Sequence, residues 1–61
     1  MKDMLAQLQT LRMQVVECER LAQAAKSERK RAAFLRVIAH YRTMIGELEQ
    51  TISDEASSQS R

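Results

Sequence analysis

Two apolar runs that cannot share one helix constrain this chain more than any other feature. From Met4, apolar or small residues recur at Leu8, Leu11, Val15, Cys18, Ala22 and Ala25 in steps of four and three. That spacing is the seam of a heptad repeat. Phe34, Ile38, Tyr41, Ile45, Leu48 and Ile52 repeat the same steps, and Leu35, Val37 and Met44 widen that stripe on its flanks. Continuing the first seam would require apolar residues at Arg29, Ala32, Arg36 and Ala39, whereas the second seam lies two positions later. At about 100° per residue, one unbroken helix would point its two halves well over a right angle apart.

A turn near Lys26 and Ser27 removes the conflict. Ser27 suits the N-cap of a second helix, and Glu28 in its first turn opposes the positive end of the helix dipole. There is no Gly or Pro at this point, and Lys30 occupies the place where a capping box carries Glu or Gln. The pattern predicts an all-α chain, an antiparallel two-helix hairpin of coiled-coil type. Helix one covers about 2–26, the turn lies near 26–28, and helix two covers about 28–52. Residues 53–61 are rich in serine and offer almost nothing to bury, which predicts a disordered polar tail.

With a tight turn, antiparallel layers pair Cys18 with Phe34, Val15 with Ile38, Leu11 with Tyr41, Leu8 with Ile45, Met4 with Leu48 and Met1 with Ile52. A slip of one heptad would instead set Ala25 against Phe34, Cys18 against Tyr41 and Leu8 against Ile52. The shorter connection favours the tight arrangement.

A chain of 61 residues buries only about 60% of the surface that its unfolded form exposes, so small domains need an additional source of stability. The single cysteine cannot form an internal disulfide, which leaves oligomerisation. Leu5 and Leu21 flank the first seam, and Leu35, Val37 and Met44 flank the second. One neighbouring helix leaves these five exposed, and they are the candidate oligomer interface. A homo-oligomer follows, with a dimer that closes a four-helix bundle favoured. A small protein that works through protein–protein contacts, with an unidentified further protein partner, is the first functional expectation.

Several classes are disfavoured. Charges or glutamines recur every few residues up to Asp54, so no stretch approaches the ~18 apolar residues of a membrane span. The lone cysteine and the lack of a signal-peptide pattern point to the cytoplasm. His40 has no cysteine, carboxylate or second histidine three or four positions away, so no metal ligand set forms around it. Cys18 sits on the seam, where a free thiol packs as a small apolar side chain. Glu17 and Glu19 flank it but point to different helix faces. Gly46 stands alone in the second helix and reads as a mark of close helix approach rather than a phosphate loop. No enzyme chemistry and no cofactor are expected.

The net charge of +2 is small, but it is polarised. Lys26, Arg29, Lys30, Arg31 and Arg36 cluster in mid-chain, and Glu47, Glu49, Asp54 and Glu55 lie near the end. The basic cluster is either a solubilising turn or a candidate anion contact. It supports a second expectation, a small nucleic-acid-binding regulator, although no aromatic residues are interleaved to stack bases.

The stretch CERLAQAAKSERKRAAFLRVIAHYRTMIGELE, Cys18 to Glu49, resembles short uncharacterised bacterial proteins of two helices. Their second helix has the form R-A-x-F-L-x-x-A-x-x-Y-R, which here corresponds to Arg31, Ala32, Phe34, Leu35, Ala39, Tyr41 and Arg42. The Asp-Pro found at their turn is missing. The resemblance implies a hairpin and carries no activity. In architecture alone, the chain is also similar to the plasmid repressor of primer, a dimer of helical hairpins that binds paired RNA loops.

Overall fold

The computed structural model describes residues 2–59. Helix α1 spans Lys2–Ala24 and helix α2 spans Glu28–Gln59, and the two pack along each other in a rod of 52 × 15 × 12 Å. Among the described residues there is no strand, and no helix is long and apolar enough to cross a membrane.

The break falls at 25–27, where the phase shift between the seams demands it. Ser27 is the N-cap of α2: its Oγ accepts a hydrogen bond from the Lys30 amide at 3.1 Å, and its carbonyl accepts the Arg31 amide at 3.0 Å. This is the serine half of a capping box; Lys30 has no acid to return a bond to the Ser27 amide. α1 ends without a glycine. The Ala25 amide donates to the Ala22 carbonyl at 3.2 Å, and the Arg31 side chain closes what remains.

The core is narrow. Leu8, Leu11, Val15 and Ala22 of α1 and Ile38 of α2 are buried, and all five lie on the two seams. Met4, Cys18, Ala25, Phe34, Tyr41, Ile45, Leu48 and Ile52, also on the seams, are half-buried. Of the six seam residues of α2, only Ile38 is fully withdrawn from water.

Two ion pairs join the helices: Arg12 with Glu49, and Arg42 with Glu19 at 2.8 Å. In the tight register Arg12 would stand level with about residue 40, leaving Glu49 roughly 13 Å further along the axis at 1.5 Å per residue. In the slipped register that offset falls to about 3 Å. Leu11 and Leu48 line one shared cleft, and Ala22 and Ile38 line another, as the slipped layers require. The helices therefore lie nearer the slipped pairing than the tight one. In that register Ala22 shares its cleft with the apolar Ile38 and Leu35 as well as with Arg31.

α2 also outruns its expected end. Residues 53–59 are helical where the composition suggests a disordered tail, and 60 and 61 lie outside the described residues. No Gly or Pro stops the helix, and once it is formed each further residue extends it at little cost. Gln50 Nε2 donates to Asp54 Oδ1 at 3.0 Å across one turn, and Thr51 Oγ1 donates to the Glu47 carbonyl at 2.9 Å.

Gly46 corrects a second expectation. A Cβ built there would meet nothing within 4 Å, so no close approach within the hairpin requires glycine. Gly46→Ala should therefore stabilise the chain by about 0.5–1 kcal/mol, through the lower cost of ordering alanine in a helix. Urea unfolding at fixed protein concentration measures this, and a loss of stability would show that another surface covers Gly46.

Candidate functional site

The two sides of the hairpin differ in chemistry, and the difference follows from heptad position. Residues one step after a seam position and residues one step before it fall on opposite flanks of the seam. On the first edge, Leu5, Arg12 and Glu19 of α1 meet Leu35, Arg42 and Glu49 of α2. The ion pairs lie here, and they are reciprocal. A step of seven from Arg12 to Glu19 runs against a step of seven from Glu49 back to Arg42, with the signs exchanged. All four side chains are about half exposed, so each pair contributes less than about 1 kcal/mol.

On the second edge stand Gln7, Gln14 and Leu21 of α1 and, beyond Lys30 at the tip, Val37, Met44 and Thr51 of α2, none of these six charged. Leu21, Val37 and Met44 remain 36%, 40% and 41% exposed. Gln7, Leu11, Met44, Leu48 and Thr51 share an open cleft there, bordered by Glu47. The five candidate interface residues are all exposed, but the fold does not join them. Leu21, Val37 and Met44 lie along the uncharged edge, whereas Leu5 and Leu35 lie on the ion-paired one. Met13 and Val16, at 73% and 65% exposure, sit on the outer face of α1; isolated apolar residues of this kind are ordinary.

The basic cluster also divides. Arg29, Lys30 and Arg36 line one open groove at the hairpin tip with Ser27 and Ala33, and Lys26 is exposed in the turn beside them. Arg31 faces the other way. Its Nε donates to the Ala22 carbonyl at 3.4 Å, Nη2 donates to the Ala25 carbonyl at 3.3 Å, and Nη1 meets Glu28 Oε1 at 2.8 Å. It thus gives two carbonyls at the end of α1 and its turn a side-chain donor and places a cation at the negative end of that helix. The sequence carried a signal for this role, a cation within reach of a helix that ends without glycine, but nearby Arg29 and Lys30 carried the same signal.

Comparison with family models, with curated proteins and with solved structures finds no match for this chain. Its chemistry is therefore read from the residues. Cys18 is a free, half-buried seam residue, and His40 is exposed on α2. Among the described residues no group of three or more His, Cys, Asp or Glu side chains could hold a metal ion.

The two halves of the basic cluster should respond differently to truncation. Arg31→Ala removes two carbonyl partners and a dipole contact and should destabilise the chain by about 1–2 kcal/mol. Arg36→Ala should stay within about 0.5 kcal/mol of the parent. Thermal melting followed by helical circular dichroism distinguishes them, and equal effects would contradict the capping role of Arg31.

Proposed function

We propose that this hairpin is a self-associating module that acts through protein contacts, and that two copies join along the uncharged edge into a four-helix bundle. The observation that carries this reading is the contrast between the edges. Both leave apolar residues exposed, but on one Leu5 and Leu35 stand among reciprocal ion pairs, and on the other Leu21, Val37 and Met44 have no charge between them. The half-exposed seam of α2 supports it, since a further helix over Tyr41, Ile45 and Leu48 would complete a core that α1 covers on one side only. Size agrees as well. A long face of 52 by 15 Å projects an area of the order of the 800 Å² per partner used in a standard interface.

Val37→Lys or Met44→Lys should drive the dimer to monomer, because a cation would be desolvated at the contact without a partner. Leu35→Lys, on the ion-paired edge, should leave association within about threefold of the parent, as substitutions outside a contact do. Sedimentation equilibrium measures both. A parent chain of monomer mass at all concentrations, with melting unaffected by dilution, would refute self-association.

A second reading rests on the groove formed by Arg29, Lys30 and Arg36, which fits phosphate chemistry and would make the protein a small nucleic-acid-binding regulator. Its signature is a binding constant for generic duplex RNA or DNA that falls steeply as salt rises, and Arg29→Ala with Arg36→Ala should flatten that slope by about two units. A binding constant insensitive to salt would eliminate this reading.

A further inference from the structure

Among the described side chains, unpaired charge is segregated to the two halves of the rod. Arg12, Arg20, Arg31 and Arg42 each meet an acid, and these four contacts occupy Glu49, Glu17, Glu28 and Glu19. Among the side chains described, from Asp3 to Ser57, the cations left without an ion-pair partner are Lys26, Arg29, Lys30 and Arg36, in the half of the rod at the hairpin tip. The acids left without a cation among those same described side chains are Asp3, Glu47, Asp54 and Glu55, all in the other half of the rod. Within one chain these sets cannot meet: Lys30 and Asp54 are 24 residues apart on one helix, about 36 Å at 1.5 Å per residue.

The same arrangement is visible along the uncharged edge. Lys30 occupies its tip end, one heptad before Val37, and Glu47 and Asp54 border its far end, three residues after Met44 and Thr51. The edge thus runs from positive through neutral and apolar to negative. Such a surface is complementary to itself only when one copy is turned end for end. Two copies laid side by side in the same direction would stack both sets of four cations at one end and both sets of four acids at the other, and like charges brought together oppose association.

Resting on the self-association proposed above, we propose that the partner is a second copy in antiparallel orientation, with the basic tip of each hairpin seated beside the acidic far end of the other. A twofold axis across the middle of the rod generates both contacts at once. The ends supply orientation and the apolar middle supplies the burial, since exposed charge pairs direct an encounter more than they strengthen it.

Carbodiimide coupling of the full chain, mixed in equal amounts with a 15N-labelled copy, tests the orientation. It joins amines to carboxylates with no spacer, so an amide between Lys26 or Lys30 and Asp54 or Glu55 must bridge two chains. The expected result is cross-linked peptides of mixed isotope content carrying those amides. A dimer by sedimentation that yields none of them overturns the antiparallel orientation and leaves self-association standing; a monomer overturns both. Lys26→Glu with Lys30→Glu should raise the dissociation constant about tenfold, and adding Asp54→Lys with Glu55→Lys should restore it. An unchanged dissociation constant, with nucleic-acid binding lost instead, would assign the tip to phosphates and overturn the proposal.

Discussion

Leu8, Leu11, Val15, Ala22 and Ile38 are the side chains this fold removes from water, and the rest of the structure depends on how small that set is. Two helices can shield only the line along which they touch, so residues a step to either side remain accessible however well the seams mesh. The narrow contact explains why α2 has one buried residue and five half-buried ones on its seam. It also shifts the burden of specificity to the edges, where charge and its absence distinguish one flank from the other.

On the ion-paired edge, the alternation of sign gives each cation an acid and each acid a cation, with half of every side chain still hydrated. Such pairs contribute little energy singly. Their larger effect is geometric, because they act at two heights one heptad apart and so bear on the register of helices that would otherwise be free to slip. The opposite edge has no such device. Glutamine, threonine, leucine, valine and methionine there can be covered by another protein surface without stranding a charge, which is what a contact surface requires.

The turn illustrates how one side chain can replace a missing backbone device. Without a glycine in the left-handed conformation, α1 has no Schellman closure, and its last carbonyls need other donors. Arg31 reaches back from the first turn of α2 to the carbonyls of Ala22 in α1 and Ala25 in the turn, and holds Glu28 as well. Ser27 caps the following helix at the same point. The hairpin tip is thus closed from both sides, and the cations left over, Lys26, Arg29, Lys30 and Arg36, face solvent in a block.

Hydrophobic periodicity was sufficient to determine two helices, the break between them and the apolar seam, because steps of three and four have one geometric solution and the two-position phase shift rules out a single helix. It also marked Leu5, Leu21, Leu35, Val37 and Met44 as residues that one neighbouring helix leaves exposed. Tertiary structure decided what depends on the height and rotation of one helix against the other. The ion pairs of Arg12 and Arg42 join residues 37 and 23 positions apart, a separation with no local signal, and they draw the register away from the tight pairing. The division of the five flanking residues between two edges became visible only when those pairs identified which flanks face each other. Arg31 was indistinguishable from its basic neighbours until the fold brought the carbonyls of α1 within its reach. Polar composition favoured disorder after Ile52, yet the helix continues to Gln59, because extending a formed helix requires only that nothing stop it, whereas starting one requires a nucleus.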